Sequence, residues 1–224
     1  MKPIQNLGIG LPNYNKGHLG IFYMLLHAAI VHARYVCNAI PAYTWLVTEN
    51  DAVDVARTRI VQNAREKKCD AIAYIDTDLF IPQDALTRLV MMSNAGHPIA
   101  SGLYRKAKDP CILLCERMPG TWSTLEDLKE HEEGGLVNVF NIAGGFSIVR
   151  MEVYDLIEQK IGRPWYCNYD MQAGDQSYED TYFFRRVRQL GIPIVVDPDL
   201  HAVHWSHFGP VPVVEDQPEM RYCV

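Results

Sequence analysis

Apolar residues run along this chain in two alternating rhythms, short unbroken runs and stripes at helical spacing. "LGIGLP" (7–12) is an unbroken run closed by Pro12, the pattern of a buried strand. From about His18 to Tyr35 the apolar residues fall at helical spacing, broken by His27, His32 and Arg34, and predict a core helix. "YTWLVTE" (43–49) is a second strand that ends in an acid, Glu49. In "DAVDVARTRIVQNAREKK" the residues Val53, Ala56, Ile60, Val61 and Ala64 form one buried stripe, an amphipathic helix with a polar start. "AIAYID" is a third strand, "PQDALTRLVMMSN" a helix opened by Pro82 in its first turn, and "HPIASGLY" a fourth strand. This alternation predicts an open, mixed but mostly parallel sheet with helices on both faces. Ligands of such sheets sit at the carboxyl ends of the strands, and Pro12, Glu49 and Asp76 fall on that edge.

The second half has a different texture. "CILLCER" reads as one strand, and the polar stretch 118–135 as a loop or small excursion over the site. "LVNVFNIAGGFSIVRMEVYDLIEQ" reads as strand, Gly-Gly bend, strand and helix. "SYEDTYFFRRVRQLG" is an amphipathic helix stopped by Gly191, with "IPIVVDP" and "LHAVHW" as two short strands after it. A chain of 224 residues suits a single α/β domain. That domain is expected over 1–209, with a proline-rich tail over 210–224 wrapping the surface.

Charge changes the picture by what it removes. The net charge is −6, so the chain lacks the overall basic balance that non-specific nucleic-acid binding uses. A nucleic-acid partner is therefore not expected. No stretch reaches the length of a membrane span, and "MKPIQNLGIG" lacks the layout of a signal peptide. The six cysteines show no CxxC pair. Those at 37, 69, 111 and 115 lie among apolar neighbours and read as reduced, mostly buried thiols, which points to the cytoplasm.

The candidate chemistry begins at "IDTD", where the third strand meets Asp76 and Asp78. Residues i and i+2 of an extended backbone point to one side. Two carboxylates so placed repel unless a cation sits between them, and Mg²⁺ or Mn²⁺ suits carboxylate oxygen and often brings a substrate phosphate. A turn cap beside a solvated acid is the plainer reading of the same residues.

"IGLPNYN", the DTD, "AGGFSIVR", "YEDTYFFRRVRQLG" and "VVDPDLHAVH" occur in that order over about Leu7 to His207. As an ordered set they resemble the GT-A glycosyltransferases, in particular family-2-like enzymes that use nucleotide sugars. The resemblance implies a metal-dependent enzyme that moves a sugar from a UDP- or GDP-linked donor to an acceptor hydroxyl with inversion. It implies that Pro12, Asn13 and Tyr14 line the base and ribose pocket, with Glu49 or Asp51 contacting the nucleoside. Arg57, with Arg59 as its competitor, would reach the nucleotide. Asp76 would bind ribose or metal, Thr77 would lie against the donor, and Asp78 and His204 would hold Mn²⁺ or Mg²⁺. His201 and His207 compete with His204 for that place. Gly144 and Gly145 would pass beside the donor sugar. Asp180 would be the general base, ahead of its neighbour Glu179, although acids there also suit the start of a helix.

Two other classes fit some of these residues. A Toprim-like phosphoryl-transfer or nuclease domain would use Glu49 with Asp76 and Asp78, but leaves "YED" and His204 without a task. A non-catalytic protein that binds nucleotide sugars would keep the fold and lose the turnover. The acceptor is not legible.

Overall fold

The computed structural model describes residues 1–13, 19–49, 51–106, 109–168, 178–206 and 209–211. The elements of its first half are β1 (Asn6–Asn13), α1 (Leu19–Val31), a π-helical turn (His32–Val36), β2 (Ala42–Glu49), α2 (Val53–Glu66), β3 (Ala71–Ile75), β4 (Leu79–Phe80), α3 (Ala85–Asn94) and β5 (Ile99–Leu103). Small strands follow: β6 (Arg105–Lys106), β7 (Asp109–Leu113), β8 (Cys115–Met118) and β9 (Thr121–Trp122). Then come α4 (Leu125–Glu130), β10 (Val137–Val139), β11 (Asn141–Ile142), β12 (Phe146–Arg150), α5 (Met151–Lys160), α6 (Glu179–Gln189), β13 (Ile194–His201), β14 (Val203–Ser206) and β15 (Gly209–Val211).

Seven strands form the central sheet in the order β10-β13-β5-β12-β3-β1-β2. β1 runs parallel to β2 and β3, and β13 parallel to β5, while β12 and β10 run against their neighbours. The sheet is thus mixed and mostly parallel, as the alternation of strands and helices predicts.

Alternation along each strand divides the core in two. In β3 all five residues are buried, and Ile72 and Tyr74 join a cluster with residues of α2, α5 and α6. Ala71, Ala73 and Ile75 face the other way, into a cluster with α1 and α3. β1 presents Leu7, Ile9 and Leu11 to that second cluster and turns Gly8 toward Leu46 and Cys69 and Gly10 toward Ile60 of α2. A Cβ on Gly10 would lie 2.9 Å from Ile72 Cγ2 and 3.2 Å from Ile60 Cγ2. Gly10 therefore lets α2 settle close on the sheet. Each fully buried Leu, Ile or Phe contributes about 1.5–3 kcal/mol.

Several expectations change. The first helix ends at Val31 and passes into the π-helical turn. The helix expected from Pro82 begins at Ala85, because Pro82–Ala85 close a turn in which the Ala85 amide donates to the Pro82 carbonyl at 3.1 Å. "CILLCER" divides into β7 and β8, which belong to different small sheets. Residues 118–135 are not a plain loop but a small excursion with its own elements, β9 and α4. Thr124 caps α4 by accepting from the Asp127 amide at 3.0 Å, and Leu125 and Leu128 enter the core. "IPIVVDP" and "LHAVHW" do give two strands, but the boundary lies later: β13 runs on through Pro198 to His201, and β14 begins at Val203. Cys37 is exposed, whereas Cys69 and Cys115 are buried. β15 carries the chain across residue 210 as a strand, and 212–224 lie outside the described residues. Among the described residues no helix is long and apolar enough to cross a membrane.

Candidate functional site

A cleft of about 390 Å³ opens at the carboxyl edge of the sheet, lined by Pro12, Val53, Arg57, Asp76, Thr77, Asp78, Asn168, Tyr178, Glu179 and Asp180. Three elements supply its chemistry: the end of β3, the first turns of α2, and the start of α6.

Arg57 organises the cleft. It projects from α2 beneath the strand ends with its side chain only 2% exposed. Its Nε donates to Glu179 at 3.2 Å, Nη1 to the Gly144 carbonyl at 3.1 Å, and Nη2 to Asp76 at 3.2 Å. The rings of Tyr74 and Tyr166 lie behind the guanidinium at 5.1 and 6.0 Å. Burial opposes its charge, but Asp76 and Glu179 outweigh burial and raise its pKa. Arg59 instead points outward to Asp51 at 2.7 Å, so of the two arginines it is Arg57 that lies in the cleft wall. Arg57 is tied there to three protein groups.

The Gly-Gly bend is shaped around these acids. The Gly145 carbonyl accepts from the Asp76 amide at 2.8 Å, and the Gly145 amide donates to the Tyr104 hydroxyl at 3.2 Å. A Cβ at Gly145 would lie 2.1 Å from Asp76 Oδ2, and one at Gly144 would lie 3.0 Å from Arg57 Nη1. The close approach that requires glycine is thus to Asp76 and Arg57.

Asp180 sits in the first turn of α6. Its Oδ2 accepts from the Gly144 amide at 3.2 Å and its Oδ1 from the Thr181 amide at 2.6 Å. A carboxylate has about four lone-pair sites, so capacity to accept a proton remains. Glu179 is 7% exposed and ion-paired to Arg57 at 3.2 Å. Burial pushes its carboxyl up to about 7 against the pull of Arg57. Burial likewise lifts Asp76 to about 6, with Arg57 opposing and Asp78 reinforcing the shift.

The two acids of the DTD part company, contrary to the extended geometry expected. β3 stops at Ile75, and the Leu79 amide donates to the Asp76 carbonyl at 3.0 Å. This turn sends Asp76 inward to Arg57, with its side chain 31% exposed, and leaves Asp78 at the rim, 53% exposed. Thr77 between them is buried.

His204 meets Asp78 because β14 pairs antiparallel with β4, setting His204 opposite Leu79. The Trp205 amide then donates to the Asp78 carbonyl at 2.8 Å. His204 Nε2 lies 3.2 Å from Asp78 Oδ2, and Nδ1 lies 2.8 Å from the Arg105 carbonyl. A carbonyl only accepts, so Nδ1 carries a proton. Burial works against charge on this imidazole, and Asp78 overcomes it and raises the pKa. In the neutral ring Nε2 is a bare lone pair facing a carboxylate, an arrangement that calls for a proton or a cation. Two ligands about 2.1 Å from an octahedral ion and at right angles sit about 3 Å apart, close to the 3.2 Å found. His204 and Asp78 therefore fit a hard divalent ion as two of its ligands. Asp76 is not gathered with them: the described residues hold no group of three His, Cys, Asp or Glu side chains able to share an ion.

The remaining expected residues lie less centrally. Pro12 is buried in the cleft wall. Asn13 ends β1 opposite Glu49, and Tyr14 lies outside the described residues, as does His207. Glu49 is exposed on the edge strand and is not among the residues lining the cleft. His201 turns back to the Pro198 carbonyl at 2.5 Å. Sequence reasoning missed Tyr104, the Arg105 carbonyl, Val53, Asn168 and Tyr178 as site residues; of these only Tyr178 lies in a quoted motif, at the head of "YED".

No family model matches the chain, and no curated protein matches it. Solved structures do. A197 from STIV is similar with a TM-score of 0.56 at 19% identity, over 95% of each chain. GalNAc-T7, solved with UDP, GalNAc and Mn²⁺, is similar with a TM-score of 0.51 at 11% identity, over 87% of this chain and 42% of that one. Likeness at such identities is likeness of fold: the chain has a GT-A-like fold, a seven-stranded mixed sheet flanked by helices.

Proposed function

We propose that the protein is a metal-dependent glycosyltransferase that moves a sugar from a nucleoside diphosphate sugar to an acceptor hydroxyl with inversion. The observation that carries this is the juxtaposition of Asp78 and His204, 3.2 Å apart, on the rim of the cleft that also holds Asp180. The electrostatics support it. Asp76, Asp78, Glu179 and Asp180 line the cleft against Arg57. A diphosphate entering such a cleft alone is repelled, by about 3 kcal/mol for each pair of unit charges about 6 Å apart at an effective dielectric of about 20. A divalent ion reverses that balance. UDP and Mn²⁺ in GalNAc-T7 are consistent with the same pairing here.

Asp78 and His204 would hold Mn²⁺ or Mg²⁺, with the donor diphosphate and water as further ligands. The ion supplies stabilisation of the negative charge that develops on the departing diphosphate. Asp180 would accept the proton of the acceptor hydroxyl as its oxygen attacks the anomeric carbon. The carbon–oxygen bond to the diphosphate breaks, and its electron pair leaves with the nucleotide. Arg57 and Glu179 hold Asp76 and the Gly-Gly bend in place for the donor. Calorimetric titration with UDP tests this reading. It predicts binding in the presence of Mn²⁺ and little without it; equal binding in both conditions overturns it. Donor binding with neither hydrolysis nor transfer across a broad acceptor panel would favour a binding protein instead.

A further inference from the structure

The two edges of the central sheet differ. At one edge β10 is only three residues long, and shortness is one way natural edges are blunted. At the other, β2 is eight residues long and pairs with β1 without a break in register, from Asn6 opposite Ala42 to Asn13 opposite Glu49. Among the described residues no strand joins its outer side. Long edges are commonly guarded by lysine, proline or a bulge. β2 has none of these within its span, and "AYTWLVTE" carries a single charge, Glu49, at its end.

One face of β2 is also bare. Tyr43, Trp45 and Val47 stand beside Leu7, Ile9 and Leu11 of β1 in the parallel register. Those three are buried in the cluster that α1 covers, whereas Trp45 is 41% and Val47 38% exposed. α1 therefore stops short of the edge and leaves an apolar shelf. The Tyr43 and Trp45 rings meet edge to face on it, with centroids 5.9 Å apart. Arg34 borders the shelf, its guanidinium 5.7 Å from the Tyr43 ring and 5.3 Å from that of the exposed Tyr35. Neither Arg34 nor Glu49 has an ion-pair partner among the described residues.

We propose that this edge docks a second copy of the chain, the two β2 strands pairing antiparallel about a two-fold axis at Leu46. The occupant follows from self-complementarity. Residues directly opposite in an antiparallel pair project to one face. The register therefore sets Trp45 opposite Val47 of the second copy, aromatic on β-branched, and the two-fold makes that contact twice. Tyr43 falls opposite Glu49 of the second copy, so the guanidinium of Arg34 over Tyr43 meets that carboxylate. This ion pair also forms twice, and no like charges are opposed. A two-fold contact of this kind closes on itself and leaves no free edge to propagate. The carboxyl ends of the two β2 strands point in opposite directions, so both clefts stay open. The pairing does not depend on the glycosyl-transfer reading.

Sedimentation equilibrium of the full chain over a wide range of protein concentration tests this. A monomer–dimer equilibrium is expected, and Val47→Lys should leave the monomer. Arg34→Glu and Glu49→Arg each set like charges face to face and should weaken the dimer about tenfold. The double exchange Arg34→Glu/Glu49→Arg should restore it, with circular dichroism confirming the fold of every variant. Hydrogen exchange of the outward β2 amides separates the other occupants. A monomer whose β2 amides exchange freely leaves the edge to a different partner. A monomer whose β2 amides are protected gives the edge to residues 212–224 of the same chain. Either result overturns the proposal, as does a dimer that Val47→Lys leaves intact or that the double exchange fails to restore.

Discussion

Gly145→Ala is the substitution whose consequence follows most directly from the coordinates. The new methyl would lie 2.1 Å from Asp76 Oδ2, 2.5 Å from Asp76 Cγ and 2.8 Å from the Tyr104 hydroxyl. None of these can be relieved cheaply. Asp76 is bound on one side to Arg57 and through its amide to the carbonyl of Gly145 itself. Overpacking of this kind costs about 1–3 kcal/mol. In a chain of this size each kcal/mol lowers Tm by about 2–4 °C, so a fall of roughly 2–12 °C is expected. A double-mutant cycle isolates the cause. In an Asp76→Ala background the carboxylate is gone, and the penalty for Gly145→Ala should shrink by about 1 kcal/mol or more. Urea unfolding at pH 8 of the four proteins measures it. A Gly145→Ala protein as stable as the parent, or an equal penalty in both backgrounds, refutes the close approach.

Arg57→Met leaves the buried Glu179 and the half-buried Asp76 without their cation, and should cost about 3 kcal/mol at pH 8 by urea unfolding, less at pH 5 where the acids take up protons. In the metal-free protein Asp76 and Glu179 have folded-state values of about 6 and about 7, above their ordinary 3.8 and 4.5. Folding therefore takes up protons, so their contribution to stability falls as pH rises from about 4 to about 7; Glu179→Gln should flatten that slope in thermal melts. Asp180→Asn should lower turnover about 10²–10⁴-fold and leave calorimetric UDP binding intact, with the amide oxygen keeping one of the two backbone donors, Gly144 or Thr181, that Asp180 accepts from.

The legible part of the fold was the part with one dominant rhythm. β1, β3, α2 and β5 follow from unbroken runs and one clear stripe, because each is buried by the sheet and its nearest helices, while β2 reads as a strand although at the sheet edge it buries only Leu46 and Thr48. The middle of the chain resisted because its elements are short. β8, β9 and β11 form a separate three-stranded sheet, and α4 is one capped turn and a half whose two leucines carry too little pattern to stand out. At the site, Asp78 and His204 could be paired in advance, but the reason they meet is the antiparallel pairing of β14 with β4, invisible in either segment alone. The turn at Asp76 broke the expected convergence because the strand ends one residue earlier than a strict alternation requires. Arg57 lies on the buried stripe of α2, three and four residues before Ile60 and Val61, and Arg59 does not, so helical spacing itself carries a signal that separates them. Tyr104 and the Arg105 carbonyl act through positions that tertiary structure alone creates.

The decisive measurement is an anomalous-scattering map from a crystal grown with Mn²⁺ and UDP. A manganese peak about 2–2.5 Å from both Asp78 Oδ2 and His204 Nε2, with diphosphate oxygens completing its shell, is the predicted result. A peak away from these two side chains, or UDP bound in the cleft with no ion beside them, contradicts the account.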